Sequence, residues 1–268
     1  MLLAVNYGLN MKNKFTYLYS ISTNKGIKET NEDCAFIGFN KSNQCLAIVC
    51  DGIGSEKQSD LASNLVIETF RNKFLKKPHI YFIKEWFKKV LFKASVQLNN
   101  IYKTKKKEIG TTLVLCLISN NNIYTFNIGD SRLYHFSMNE YKWKIMTKDH
   151  NLFNFLVDHH APKLSFNAHQ KNLLSLTNYI ASSDLKQQHN KFNFVKFNVE
   201  YNDVIFLCSD GLYNFIDLPY ISEVIRKCGM KRFNEIVPTI IQKSLDNHSN
   251  DNLSGIVIQF NKEKKLID

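Results

Sequence analysis

Only four prolines and ten glycines punctuate the 268 residues, and no stretch gathers them into a linker. That scarcity excludes collagen-like and low-complexity chains, and a hydrophobic fraction of 44% against 22% charged residues excludes a disordered one. Long apolar runs are missing as well. The longest, Leu113 to Ile118 and Val204 to Cys208, fall far short of the roughly 20 residues that span a bilayer, so no membrane helix is predicted. Met1 to Leu9 has neither a basic first segment nor an apolar stretch of signal-peptide length, and a cytoplasmic location is expected. The six cysteines (Cys34, Cys45, Cys50, Cys116, Cys208, Cys228) sit mostly in apolar, strand-like runs, without CxxC or Cys/His zinc spacing. They read as reduced core thiols.

Acidic residues are the minority charge, 24 against 35 Lys and Arg, for a formal net charge of +11. Such a balance admits nucleic acid, an anionic surface or phosphorylated substrates. The richness in Asn, Lys, Ile and Phe is also the bias of an AT-rich genome, which adds lysines without a binding patch. No nucleic-acid motif or interleaved aromatic and basic stripe is read in the sequence, so a nucleic-acid partner is not expected.

With no linker, repeat or composition break, a single domain over 1–268 is expected. Strand-like runs lie at Tyr17 to Ser22, Ala35 to Phe39, Cys45 to Cys50, Thr112 to Ile118, Ile123 to Ile128, Leu133 to Phe136, Phe192 to Val199, Val204 to Cys208 and Ile256 to Phe260. Helical spacing places Leu61, Ala62, Leu65, Val66, Thr69 and Phe70 on one helix face, and Phe87, Val90, Leu91, Ala94, Leu98 and Ile101 on another. A second helical pair is predicted near Tyr220 to Cys228 and Phe233 to Leu245. Tight turns at Asn120 to Asn122 and Gly129 to Ser131 suggest hairpins, and Asn151 to Ser175 reads as a surface excursion. Blocks of strands with paired helices indicate an α+β class of antiparallel sheets covered by helices.

The carboxylates fall at strand ends. Asp33 begins one strand, Asp51 ends another as Val-Cys-Asp-Gly, Asp130 lies in Gly-Asp-Ser-Arg, Asp210 ends a third as Cys-Ser-Asp-Gly, and Asp251 begins the last. Taken singly, a strand-end Asp is a turn former or helix cap. Several converging on one rim would repel one another unless a cation neutralised them. Oxygen ligands without His or Cys suit Mg or Mn rather than zinc.

These motifs resemble the PP2C (PPM) family of metal-dependent protein phosphatases, in its compact bacterial branch. The match runs through Gly26-Ile-Lys-Glu-Thr-Asn-Glu-Asp33, Val49-Cys-Asp-Gly-Ile-Gly54 with Ala62-Ser63, Gly110-Thr-Thr112, Gly129-Asp-Ser-Arg132, Thr147-Lys-Asp-His150, Cys208-Ser-Asp-Gly-Leu212 and Asp251-Asn252, in the family's order from about Tyr17 to Phe260. The resemblance implies an αββα sandwich, two antiparallel sheets with a helical layer outside each. It implies hydrolysis of phosphoserine and phosphothreonine in proteins by a metal-bridging hydroxide, with two Mn or Mg ions and a third, weaker one. Asp51 would bridge two ions, with the Gly52 carbonyl on one of them. Asp210 and Asp251 would complete the first ion's ligands, Glu32 or Asp33 would support the second, and Asp130 with Asp210 would hold the third. It also implies phosphorylated protein substrates and a cognate serine/threonine kinase system. Apart from the resemblance, a monomer is expected, with no nucleic-acid partner and, for want of a spanning segment, no membrane partner.

The chain departs from the family at Lys28, which stands where a phosphate-binding Arg is usual; an ammonium lacks the two-pronged grip of a guanidinium. Ser55-Glu56 and Ser59-Asp60 replace glycine-rich loop positions, and Ile53 cannot act as a general acid. His150, His159 and His160 are read as structural rather than as replacement acids, and Arg132 as a brace for the Gly-Asp-Ser turn. Lys103 to Lys107 reads as a solvated helix end. The alternative function is a catalytically impaired relative that binds phosphoproteins.

Overall fold

The computed structural model describes residues 15–54, 59–105, 108–162, 170–182 and 192–262. Its first sheet orders β1 (Phe15–Asn24), β13 (Leu253–Lys262), β12 (Val204–Cys208), β8 (Arg132–Ser137) and β9 (Lys142–Ile145). The second orders β11 (Asn193–Asn198), β7 (Asn122–Ile128), β6 (Leu113–Ser119), β3 (Cys45–Cys50) and β2 (Cys34–Phe39). A small third sheet joins β10 (Ile180–Ala181), β5 (Gly110–Thr111) and β4 (Gly52–Ile53). Every pairing is antiparallel.

The apolar strands explain the layering. In β3, Cys45, Ala47 and Val49 face a cluster that also holds Val114 and Cys116 of β6, Ile205 and Leu207 of β12, and Ile256 and Ile258 of β13. Leu46, Ile48 and Cys50, on the other face, pack with α1 (Ser59–Leu75) and α2 (Ile83–Lys105) through Val66, Phe70, Phe87 and Leu91. A strand buried on both faces must read as continuous apolar sequence rather than as an alternation. In the first sheet, Phe206, Cys208 and Val257 face outward to α5 (Leu218–Cys228) and α6 (Ile236–Asp246), meeting Ile221, Val224, Val237 and Ile240. The layers are therefore αββα, as the resemblance implies. Phe87 stacks on Phe126 with centroids 4.0 Å apart, and burying one such ring contributes about 1.5–3 kcal/mol. The six cysteines are free; four are buried, and Cys34 and Cys228 are partly so.

Several expectations change. The Asn120–Asn122 turn closes the β6–β7 hairpin, with Asn120 at φ 55. Gly129–Ser131 makes no hairpin, because β7 belongs to the second sheet and β8 to the first. The tight turn is a corner between layers, which alternating sequence cannot distinguish from a hairpin. Asn151 opens a helix, α3 (Leu152–Asp158), by accepting from the Asn154 amide at 2.9 Å. With only Leu156 buried, it lacks the apolar stripe that reveals longer helices. The rest of that excursion includes 163–169, outside the described residues, as are 55–58, which hold Ser55-Glu56. The two-residue strands and the Lys-rich edge strand β9 also escape the sequence pattern.

Candidate active site

Sheet topology brings the strand-end carboxylates to one rim. Asp33 precedes β2, Asp51 follows β3, and the two strands pair so that Cys34 lies opposite Cys50. Asp210 opens the short helix α4 (Asp210–Tyr213) directly after β12, and Asp251 precedes β13, whose Gly255 lies opposite Cys208. Asp130 sits at the corner into β8, where Arg132 lies opposite Cys208.

Hydroxyls and amides fix these positions. The Asp51 carbonyl accepts from the Thr112 amide at 2.8 Å and the Thr111 hydroxyl at 2.9 Å, and the Asp51 amide donates to Thr112 Oγ1 at 3.0 Å. Thr112 Oγ1 also meets Ser131 Oγ at 2.6 Å, joining the Asp51 and Asp130 segments. Gly52 donates to the Glu32 carbonyl at 3.1 Å, which also accepts from Ser63 Oγ at 2.6 Å. Asp33, 4% exposed, accepts on Oδ2 from Ser209 Oγ at 2.7 Å. Asn252 ties the chain together: Oδ1 accepts from the Glu32 amide at 2.9 Å, while Nδ2 donates to the Lys25 and Thr30 carbonyls at 2.8 and 3.0 Å.

The electrostatics are those of crowded, underpaired acids. Burial raises Asp33 to about 7, with Asp210 and Asp251 adding to the effect against hydrogen bonds from Ser209 and Ser254. Burial lifts Asp51 well above the carboxylate range, reinforced by Asp33, Asp210, Asp130 and Asp251. Asp130 rises to about 7 by burial and then by Asp210 and Asp149, and Asp210 rises by burial and then by Asp251. Among the described residues, Asp33 Oδ1 and Asp210 Oδ1 are buried without a hydrogen-bond partner, a costly state for a charged oxygen. Lys28 supplies positive charge, pairing with Asp251 and lying 3.8 Å from Glu32 Oε2.

This donor set fits a hard divalent cation: carboxylate oxygens on a partly buried rim, mutually repelling, two of them orphaned. Among the described residues no three His, Cys, Asp or Glu side chains form a closed cage by themselves.

The accessory residues take structural places. His150 Nδ1 accepts from the Gly129 amide at 3.0 Å, and burial, against the pull of the Asp149 carboxylate, holds its pKa below the ordinary histidine value. His159 Nδ1 lies 2.8 Å from the Phe155 carbonyl. Arg132 does not brace its own turn. Its Nη2 and Nε grip Asp149 at 2.6 and 3.1 Å, and its guanidinium lies 3.8 Å from the Tyr213 ring centroid. The turn is held instead by Ser131, by His150, and by Asn127, whose Nδ2 donates to the Gly129 carbonyl at 3.2 Å. Asn252, Ser209, Ser63 and Thr111 stand within the sequence motifs without a predicted role, and their only signal is position beside the carboxylates.

The αββα sandwich with this acidic rim defines the class of metal-dependent protein phosphatases. The chain belongs to the protein phosphatase 2C family, whose sequence model matches residues 26–254. A Mycoplasma genitalium protein named provisionally as a protein phosphatase is 32% identical over 259 residues, covering 93% of this chain and 97% of its own. Protein phosphatase PhpP of Streptococcus pneumoniae is 29% identical over 215 residues, 77% of this chain and 83% of its own. The crystal structure of a bacterial serine phosphatase superposes with a TM-score of 0.78 at 25% identity, covering 92% of this chain and 99% of that one. The catalytic domain of the serine threonine protein phosphatase PstP in complex with two manganese ions superposes with a TM-score of 0.73 at 21% identity, covering 92% and 99%.

Proposed function

We propose that this chain is a metal-dependent protein serine/threonine phosphatase, with residues 1–268 as one catalytic domain. The observation that carries the reading is the rim of Asp33, Asp51, Asp130, Asp210 and Asp251, in which four carboxylates are pushed upward by burial and mutual repulsion and two oxygens lack partners. In this reading Asp51 would serve two ions and the Gly52 carbonyl one of them, Asp210 and Asp251 would complete the first ion's ligands, Glu32 or Asp33 would support the second, and Asp130 with Asp210 would take a weaker third. Manganese in the PstP structure and the all-oxygen donors favour Mn or Mg. When bound, such ions supply an activated water and neutralise charge on the phosphate.

The chain's own residues position and shield. Thr111, Thr112 and Ser131 lock the backbone that carries Asp51 and Asp130, so these carboxylates need little reorganisation. Lys28 places a cation beside Asp251 and Glu32, where it meets the phosphate of a phosphoserine or phosphothreonine side chain. Ile53, on β4, has no proton to give, so the leaving oxygen takes its proton from water.

The serine/threonine phosphatases among the relatives support phosphoprotein substrates and a kinase acting on the same sites. No helix among the described residues is long and apolar enough to cross a membrane; a cytoplasmic monomer is the accompanying proposal. Hydrolysis of a phosphothreonine peptide with Mn, abolished by a chelator and restored by added Mn, tests the reading. Equal turnover in metal-free buffer overturns it, and Mn binding without turnover would favour the impaired, phosphoprotein-binding alternative.

A further inference from the structure

The excess of lysine is not spread evenly over the molecule. Residues 71–93 hold eight basic side chains (Arg71, Lys73, Lys76, Lys77, Lys84, Lys88, Lys89, Lys93) against one carboxylate, Glu85, a net +7 of the chain's +11. This is the corner where α1 ends and α2 begins. All seven lysines are exposed, and none takes part in an ion pair among the described residues. Arg71 is engaged with Glu68 at 2.8 Å.

Between the helices stand two aromatic side chains with most of their surface in water, Tyr81 at 79% and Phe82 at 77% exposure. Folding ordinarily covers such rings, and their exposure here is not slackness of the loop. The neighbouring Ile80 is buried, its amide donating to Gln44 Oε1 at 2.7 Å and its carbonyl accepting from Gln44 Nε2 at 2.9 Å. Gln44 is itself 2% exposed and further held by Asn40 and Ser119. The Phe82 carbonyl accepts the Trp86 amide at 2.9 Å as α2 begins. A buried polar clamp on one side and a helix start on the other hold Tyr81 and Phe82 outward.

We propose that this corner docks on an anionic lipid bilayer, with Tyr81 and Phe82 entering the headgroup region and the surrounding lysines resting on lipid phosphates. Protruding rings within a cationic collar match an interface that is negative at its surface and apolar just below it. An acidic protein would satisfy the lysines, yet it would have to supply pockets for two projecting rings; a bilayer interface accepts them wherever it is met. The expectation of no membrane partner rested on the absence of a spanning segment, which does not bear on interfacial binding.

Placement agrees. Gln44 lies at the β2–β3 turn, the opposite end of those strands from Asp33 and Asp51. Ser63 near the start of α1 touches Glu32 of the rim, and the remainder of α1 to Leu75 carries the chain about 18 Å further to the corner. A molecule seated on this corner keeps its acidic rim open to the aqueous side.

Vesicle flotation tests the proposal. The full chain is expected to float with phosphatidylcholine vesicles containing roughly one-third phosphatidylglycerol, not with phosphatidylcholine alone, and to be released by about 0.5 M salt. Replacing four lysines together (K73Q, K76Q, K77Q, K84Q) is expected to lower the partition coefficient about a hundredfold or more, at roughly fivefold per lysine. The pair Y81S and F82S is expected to lower it about tenfold or more, and Y81W to gain a blue-shifted emission on anionic vesicles. Unchanged melting temperature and phosphatase turnover confirm that the variants are folded. Equal flotation on neutral vesicles, no flotation on either, an undiminished quadruple variant, or Y81W emission unmoved in the floated protein each overturns the proposal. So does tight binding to polyglutamate or a single-stranded oligonucleotide without vesicle binding, which would assign the corner to another macromolecule.

Discussion

Lys28 forms an ion pair with Asp251, two residues before the last strand, and its ammonium lies 3.8 Å from Glu32. Burial opposes the charged ammonium, but Asp251 first, then Glu32 and Asp51, raise its pKa on balance. Lys28 is thus the resident counter-ion of the rim, and a divalent cation that takes Asp251 must displace it. Lys28→Ala should therefore tighten Mn binding several-fold in calorimetry while raising KM for p-nitrophenyl phosphate about tenfold. Lys28→Arg should restore KM. If neither constant moves in Lys28→Ala, the residue has no place in the phosphate site.

Asp51 and Asp210 carry opposite implications for activity and for stability. Each is held above its ordinary pKa by burial and by neighbouring carboxylates, so its ionised form costs the fold energy. Asp51→Asn and Asp210→Asn should each lower turnover about a hundredfold or more at saturating Mn. Their melting temperatures in chelator should equal or exceed that of the parent, and the rise that Mn gives the parent should shrink. Parent-like turnover in both variants would move the active centre elsewhere.

The sequence made these carboxylates legible because each stands where a continuous apolar strand stops. Cys45–Cys50 and Val204–Cys208 are apolar at every position because each is packed on both faces, and the rim carboxylate follows immediately as Asp51 in the first case and one residue later, after the buried Ser209, as Asp210 in the second. What joins the rim across the chain was not legible. Asn252 reaches the Lys25, Thr30 and Glu32 backbones, 220 to 227 residues distant in sequence, and an Asn beside an Asp announces nothing of that. The same holds for Arg132, whose partner Asp149 becomes its neighbour because the β8–β9 hairpin sets Tyr134 opposite Ile145 and returns the chain past Leu133.

The Asp203 carboxylate gives the fold an acid limit. It is 2% exposed and accepts from the Met138 and Glu200 amides at 2.8 and 2.9 Å, with His135 Nε2 at 2.9 Å. Burial alone would raise its pKa, yet the His135 bond and the two amides lower it below the ordinary value on balance. The folded state therefore binds this proton more weakly than the unfolded chain. The stabilisation is complete above the unfolded pKa of about 3.9 and is lost as pH falls through the lower folded value. Asp203→Asn should cost about 1–3 kcal/mol at neutral pH and flatten the fall in melting temperature below about pH 4. A parallel acid profile in the variant would assign the limit to other groups.

Gly211 sets how closely α4 approaches the Asp251–Asn252 segment that leads into β13. A Cβ at this position would lie 2.0 Å from the Asn252 carbonyl oxygen, 3.0 Å from its carbon and 3.3 Å from Asp251 Cβ. The first obstacle is backbone, so relief requires the two segments to part rather than a side chain to turn. Asn252 also holds the Glu32 amide, and a shift there displaces Asp210, Asp251 and Glu32 together. Gly211→Ala should cost about 1–3 kcal/mol, lower turnover about tenfold or more and weaken Mn binding in calorimetry, since sub-ångström placement governs such sites. Gly229→Ala provides the comparison. At φ 57 with nothing within 4 Å of the new methyl, it should cost about 1 kcal/mol through backbone strain alone and leave kcat and Mn affinity unchanged. If Gly211→Ala keeps both constants at the parent's values while losing the same stability, the close approach serves packing and does not set the position of Asp251.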